Sequence, residues 1–246
     1  MDRMLYIAMT GARQTMLSQA LNTNNLANAS TTGFRADLAA AVSLPLQGPG
    51  HASRVYGMAD GNGVDLTPGS LQRTGRDLDV AVKGEGWIAV QAPDGSEAYT
   101  RAGDLHVDSF GILTTGAGHP VIGNGGPIAI PPNAKLDIGA DGTISIRPLG
   151  QGEKALAIVD RIKLVKLPHD QVVKGEDGLI RQKGGGKAQA DASVTLVSGA
   201  LESSNVNAVQ SMIRLIELAR QYESQIKMMK TAEEDDQAAA RLLRMG

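Results

Sequence analysis

The sequence predicts an α+β fold: long N- and C-terminal α-helices pair as a coiled-coil-like core, and a mostly antiparallel β domain of barrel or sandwich type lies between them. Apolar residues recur at helical spacing near both ends of the chain, whereas the middle is rich in glycine and short alternating runs. The predicted segments are an N-terminal helix over 1–35, an extended linker over 36–75, a β-rich outer domain over 76–190, a return strand over 191–203 and a C-terminal helix over 204–246.

The first helix is predicted from a one-sided apolar stripe. Its polar face is rich in amides and hydroxyls, which form helices less readily than Glu or Lys. A helix of this kind is marginal alone in water, so its stability must come from packing. Gly33 ends the segment, since glycine readily adopts a positive φ. The stripe consists of Leu5, Met9, Ala12 and Met16.

The middle of the chain is predicted to be extended. Turn signals between residues 36 and 70, such as Pro68-Gly69, favour extended segments and loops over a helix. Beyond them, alternating runs such as 78–82 and 87–91 are separated by turns such as Pro93-Asp94-Gly95. A spacing of roughly 8–12 residues between strands is typical of a barrel or sandwich built from hairpins.

The second helix is predicted from apolar residues that alternate at spacings of three and four. No Gly or Pro interrupts it between Ser203 and Met245, and Ser204 or Asn205 is the candidate N-cap. A helix of about 40 residues would be about 60 Å long. Such a stripe is typical of a helix that packs against a partner helix. It consists of Met212, Leu215, Ala219, Tyr222, Ile226 and Met229.

Composition excludes several classes of protein. The formal net charge of −2 gives no support to nucleic-acid binding. There is no cysteine, so disulfides, thiolate metal sites and cysteine nucleophiles are excluded. No apolar run approaches the ~20 residues of a membrane span. The N-terminus lacks the features of a secretory signal, which predicts a cytoplasmic protein or one exported without a cleaved signal peptide.

Candidate chemistry is absent from the sequence patterns. The four histidines are scattered, so a zinc site is not predicted. Gly84-Glu85-Gly86 lacks the third glycine of a dinucleotide fingerprint, and Lys183 to Lys187 resembles a phosphate loop only superficially. We therefore predict no catalytic, cofactor-binding or metal-binding residue, no cofactor and no enzymatic activity. Two rival interpretations are an envelope enzyme with a β-barrel site and an adaptor that docks through its C-terminal helix.

One cluster favours a specific family. Four asparagines fall within seven helical positions, which makes sense if side-chain amides fix the register of a buried helix. The stretch 21–35, which ends Ser30-Thr31-Thr32-Gly33-Phe34-Arg35, closely resembles the N-terminal signature of bacterial flagellar rod and hook proteins. The stretches 69–87, 99–103, 111–113 and 199–206 resemble later segments of the same family, with Trp87 at a position where phenylalanine is expected.

The resemblance implies a structural subunit of the flagellar basal-body rod, exported by the flagellar type III apparatus and located in the periplasm. Chain length, opening residues and tail resemble the proximal-rod class, with the distal-rod class as the alternative. The implied partners are copies of this chain and other rod proteins, with the rod cap and surrounding rings as further candidates, and neither nucleic acid nor direct membrane insertion is expected. The candidate assembly interface is both apolar stripes together with Asn24, Asn25 and Asn28.

The assembly hypothesis has a physical basis. Closing the loop of about 170 residues between the helices costs about 4–5 kcal/mol plus a constant. Ordering a helix costs about 1–2 kcal/mol per residue in backbone entropy. Packing against many neighbouring subunits would recover that cost, so we predict terminal segments that are largely disordered in the free monomer and helical in the assembly.

Overall fold

The structure is a computed structural model that describes residues 2–45, 55–148, 150 and 156–244. The chain divides into two compact units. The helical unit comprises residues 1–28, 37–63 and 206–246, and the β unit comprises residues 29–36 and 64–205. The segment boundaries predicted above stay predictions.

The helical unit contains two helices and a strand pair. Helix α1 spans Asp2–Ala27 and helix α2 spans Ala208–Arg244. Strands β1 (Asp37–Pro45) and β2 (Val55–Val64) pair with each other. No helix lies between residues 36 and 70 in the described part of the chain, as predicted.

Helix α2 begins two residues beyond the predicted caps. The side-chain oxygen of Asn207 accepts a hydrogen bond from the Gln210 N–H at 3.1 Å, which makes Asn207 the N-cap. The side chain of Asn205 is instead bound to backbone groups of the β unit, so it cannot cap the helix. Arg241 and Arg244 lie in the last turn, where the helix dipole favours positive charge.

The predicted fold class is wrong. Helix α1 has 26 residues and α2 has 37, so only the C-terminal helix is long, and most elements of the chain are strands. A coiled-coil-like core of two long helices is not found. Such a core needs large apolar residues in the contact, but α1 meets α2 through small and polar groups. The Asn22 side chain donates to the Ser211 carbonyl at 2.8 Å, and a Cβ on Gly11 would lie 2.9 Å from the Gln225 side chain.

The β unit is built from short strands that pair antiparallel. The largest sheet has five strands in the order β12-β5-β6-β14-β13, and a second has three in the order β11-β10-β9. Three further pairs are β15 with β4, β16 with β3, and β7 with β8. The strands are β3 (Leu71–Arg73), β4 (Val80–Lys83), β5 (Trp87–Gln91), β6 (Glu97–Thr100), β7 (Leu105–Val107), β8 (Leu113–Thr115), β9 (Asn133–Ile138), β10 (Thr143–Pro148), β11 (Ala157–Arg161), β12 (Leu164–Val165), β13 (Val172–Lys174), β14 (Ile180–Gln182), β15 (Thr195–Ser198) and β16 (Ala200–Glu202).

Strand β5 is apolar on both faces because each face covers a different hydrophobic cluster. Ile88 and Val90 belong to the larger cluster, while Trp87 and Ala89 belong to the smaller. Successive side chains of a strand point to opposite faces, so a continuous apolar run is needed where both faces are buried. The larger cluster also contains Leu105, Leu113, Val121, Ile128 and Ile144, and the smaller contains Tyr99, Val165, Leu167 and Ile180.

Two long predicted strands are each divided in the structure. The run 158–167 forms β11 and β12, which pair with different neighbours. The run 193–201 is divided at Gly199, whose φ of 72° lies in the left-handed region. This bend directs β15 to β4 and β16 to β3, so the chain reaches α2 from the edge formed by β3.

Candidate assembly interface

Helix α1 exposes its large apolar residues and buries its small ones. Met9 is 52% exposed, whereas Ala12 is 6% exposed. Of the predicted stripe, therefore, Ala12 is buried and the other three members face outward. The exposed apolar residues of α1 are Leu5, Tyr6, Ile7, Met9, Met16 and Leu17.

Helix α2 shows the same inversion. Its most buried positions recur every seven residues, at Ser211, Leu218 and Ala232. The predicted stripe is thus displaced by about one position. Leu215, Ala219, Tyr222 and Met229 are half-buried, while Met212 and Ile226 are exposed. Val209, Met212, Ile213, Ile216 and Ile226 form the exposed apolar set of α2.

The asparagines of α1 have separate roles. Asn25 is buried and makes two 2.8 Å hydrogen bonds with the backbone of Asp37, at the start of β1. Asn22 binds the backbone of α2. The Asn28 side chain donates to the Asn24 carbonyl at 3.0 Å, and Asn24 itself is exposed. Only Asn22, which is not among the predicted interface residues, contacts the other helix through its side chain.

These exposed faces have an energetic consequence. Fully burying one large apolar side chain is worth about 1.5–3 kcal/mol relative to leaving it in water. Single exposed apolar residues are ordinary on a protein surface, but contiguous apolar patches mark interaction sites. The helical unit therefore has the surface of a component that gains stability when other chains cover it.

The segments next to the two helices are held by a buried cluster in the β unit. We call Arg35, Arg101, Glu202 and Trp87 the anchor cluster. The Glu202 carboxylate accepts from Arg35 at 2.5 Å and from Arg101 at 2.9 Å, and its Oε1 also accepts from the Gly69 N–H at 2.8 Å. All three charged side chains are at least 95% buried.

The anchor cluster binds two guanidinium groups with a single carboxylate. Burial lowers the pKa of Arg101 below its ordinary value, and the charge and hydrogen bond of Glu202 oppose that shift. The guanidinium carbons of Arg35 and Arg101 lie 5.8 and 5.2 Å from the centre of the Trp87 ring. The negative face of an indole attracts cations more strongly than a phenyl ring does, which is a physical reason for tryptophan at this position.

Backbone contacts extend this anchoring. The Gly33 N–H donates to the Glu202 carbonyl at 2.8 Å, and Gly33 has a φ of 67° as predicted. A Cβ at this position would lie 2.3 Å from the Arg101 backbone, so only glycine fits. The Asn205 side chain accepts from the Ala36 N–H at 2.8 Å and donates to the Asp65 carbonyl at 2.9 Å. The residues that follow α1 and those that precede α2 thus meet on one surface of the β unit.

Sequence reasoning missed the anchor cluster. Arg35, Arg101 and Glu202 all lie in stretches that carry the family resemblance, yet none was predicted to have a role. The available signal was three charged residues inside otherwise apolar or small-residue motifs. Charged side chains are almost never fully buried unless they are paired, and nothing in the spacing indicates that positions 35, 101 and 202 meet.

The described residues show no constellation suited to metal chemistry or to a membrane span. No group of three or more His, Asp or Glu side chains in that part of the chain could hold a metal ion. Neither α1 nor α2 combines the length and apolarity that crossing a bilayer requires.

Comparison with known proteins identifies the family. The chain is 45% identical to the flagellar basal-body rod protein FlgF of Escherichia coli (strain K12) over the full length of both. It is 44% identical to FlgF of Salmonella typhimurium, again over both full lengths. The chain belongs to the flagellar basal-body rod protein FlgF family. The resemblance carried by residues 21–35 and the later motifs is therefore confirmed.

Two domain families match in the regions described above. Residues 197–242 match the family described as flagellar basal body rod FlgEFG protein C-terminal, and residues 81–146 match the flagellar hook protein FlgE/F/G D1 domain. FlgG proteins are more distant relatives of this FlgF-family chain. FlgG of Bacillus subtilis is 32% identical, over 95% of this chain and 96% of that protein.

Proposed function

We propose that this chain is a structural subunit of the bacterial flagellar basal-body rod and that it occupies the proximal rod. Full-length similarity to FlgF at 45% identity is the observation that carries the proposal. The distal rod is the alternative, and it is supported less because the FlgG relatives are only 30–32% identical.

The subunit joins the rod through the exposed apolar faces of α1 and α2. Copies of this chain and other rod proteins cover these faces, and the predicted core segments 1–35 and 204–246 become the inner wall of the rod. Met9, Met16, Met212 and Ile226 of the predicted interface support this role because their side chains are exposed. Ala12 and Asn25 support it indirectly, because they are buried within the helical unit.

The role is mechanical and not enzymatic. The rod transmits torque across the periplasm, and the chain reaches it by type III export without a cleaved signal peptide. The rod cap and the surrounding rings are further candidate neighbours. The relatives named above support the structural role, since both are called basal-body rod proteins.

Deletion and complementation test this proposal. A motile strain whose own gene for this chain is removed should lose motility and build no complete rod, and the wild-type chain should restore both. Isolated basal bodies should contain the chain, and a tag on it should map to the membrane-proximal part of the rod. A deletion strain with complete rods would contradict the proposal, and a tag in the outer part of the rod would favour the distal-rod alternative.

A further inference from the structure

An aromatic side chain of the β unit projects almost entirely into solvent. Phe110 is 87% exposed, in a chain that contains only two phenylalanines. It lies at the tip of the turn between β7 and β8. An exposed aromatic residue has a large apolar area to bury, about 150–250 Å² when it is fully covered.

The turn that carries Phe110 is fixed by its own hydrogen bonds. Asp108 accepts from the backbone N–H groups of Phe110 and Ile112, each at 2.8 Å. Gly111 supplies the positive φ of 82° that the turn needs, and its carbonyl accepts from the Ile130 N–H at 2.7 Å. The Phe110 turn (108–112) therefore presents the ring in a preset position, which lowers the entropy lost on binding.

A preformed pocket lies at the other end of β8. It has a volume of about 460 Å³ and is lined by backbone and small or ring-shaped side chains, including Ala92, Pro93, Ala117, His119 and Pro120. Two turns form its walls, and the Gln91 N–H joins them by donating to the Pro120 carbonyl at 2.8 Å. We call this the proline pocket.

The Phe110 turn and the proline pocket flank the same strand. Phe110 precedes β8 and Ala117 follows it, so the protrusion and the cavity open at opposite ends of β8. A protrusion that fits a pocket elsewhere on the same molecule makes a head-to-tail contact, and repeated head-to-tail contacts build rings or open helical filaments. Self-complementary contacts of the two-fold kind would instead need one patch that pairs with itself.

We propose that Phe110 of one copy inserts into the proline pocket of the next copy, so that the β units form a second, head-to-tail interface in addition to that of the helices. The inference rests on the proposed function, because the rod brings the copies together. The occupant is a second copy of this chain, since the chain itself presents both the aromatic ring and an apolar pocket lined by two prolines.

Disulfide crosslinking tests the contact in assembled rods. Because the chain has no cysteine, Phe110→Cys and Ala117→Cys variants can be co-expressed in a deletion strain and their basal bodies oxidised. We expect a crosslinked dimer from this pair. A matched pair, Phe110→Cys with Glu176→Cys, places the second thiol on an exposed turn outside the pocket and should give none. Complete rods with no dimer from the first pair would overturn the proposal while leaving the rod function intact.

Substitution gives a second test that does not need crosslinking. Phe110→Ser and Ala117→Trp should each reduce swimming speed or rod yield several-fold, because one removes the ring and the other fills the pocket. Phe110→Tyr and Ala117→Ser should stay close to wild type. Unchanged rods and motility in Phe110→Ser, or a photo-crosslinker at position 110 that captures a different protein in place of a second copy, would contradict the proposal.

Discussion

The two units of this chain differ in where they place their large apolar residues. In the β unit, Ile88, Leu105 and Leu113 are fully buried, and even the charged side chains of the anchor cluster are enclosed. In the helical unit, Met9 and Met212 are more than half exposed, and the contact between the helices is made by small or polar groups. The β unit satisfies its own apolar surface, whereas the helical unit leaves much of that surface to be covered by other chains.

This difference assigns folding and assembly to separate parts of one sequence. A unit with two buried clusters and paired strands resists opening, since its stability comes from its own contacts. A helix pair with exposed apolar faces gains most from neighbours, since isolated helical stability is small. The anchor cluster joins these roles, because it fixes the residues next to both helices on the β unit before any partner binds.

The largest expected effect is on assembly, from charges placed on the exposed face of α2. A Met212→Asp, Ile213→Asp, Ile216→Asp variant should abolish rod incorporation and motility, because a charged group cannot be buried without a partner. Unfolding of the β unit, followed by fluorescence of the single tryptophan Trp87, should be unchanged.

Gln221→Asp with Ser224→Asp is the matched control, since both positions are exposed and polar in the same helix. It should assemble normally. If this control fails as badly as the apolar-face variant, helix propensity and not surface burial would explain the loss.

The next largest effect is on stability, from Glu202→Gln. Removing the carboxylate leaves two buried guanidinium groups without their counter-charge, which typically costs about 3–5 kcal/mol. Urea unfolding of the purified chain, followed by Trp87 fluorescence, measures the loss. Glu85→Gln is the control, because the Glu85–Lys166 ion pair at 3.0 Å is exposed on both sides. Equal midpoints for the two variants would contradict the account of the anchor cluster.

A smaller effect is expected at high pH from Tyr99. Burial, with a further contribution from Glu97, raises the pKa of Tyr99 from 10.0 to about 12. The folded state therefore holds the phenol proton more tightly than the unfolded state does. This contribution is fully present below pH 10 and is lost as pH rises towards 12, a difference of about 2–3 kcal/mol.

Comparison of wild type with Tyr99→Phe isolates this pH dependence. The variant should lose a constant amount at neutral pH, because the Ala188 N–H no longer has the phenol oxygen at 2.7 Å as its acceptor. The gap between the two unfolding free energies should then narrow above pH 10. A gap that stays constant up to pH 12 would be inconsistent with the raised pKa.

The smallest effect is expected from Asn25→Ala in the helical unit. The variant loses two hydrogen bonds to Asp37, each worth about 0.5–1.5 kcal/mol. Faster amide hydrogen exchange in 37–45 should report it. Asn24→Ala is the control, because the Asn24 side chain is exposed one position away. Equal exchange in the two variants would remove the assigned role of Asn25.

The sequence predicts local features better than contacts between distant residues. Helical spacing locates both helices, and turn signals locate strands such as β5 and the positive φ of Gly33. Periodicity does not say which face of an amphipathic helix is covered within one chain and which is left for partners. For that reason the stripe of α2 is displaced towards the exposed residues Met212 and Ile226.

The anchor cluster could not be predicted from periodicity at all. Arg35 and Glu202 are 167 residues apart, and their pairing depends on how β16 aligns with β3. The same limit explains the wrong fold class. The small and polar contact between α1 and α2 depends on which residues face each other, and composition alone favoured a large apolar contact.

Hydrogen exchange of the free chain and of the chain in isolated basal bodies tests the central claim most directly. Amides of β4, β5, β6 and β8 should be protected equally in both samples, because the β unit completes its own core. Amides of α1 and α2 should exchange rapidly in the dilute monomer and become protected in the rod. Strong protection of both helices in the monomer, equal to that in the rod, would contradict the claim that partner chains complete the helical unit.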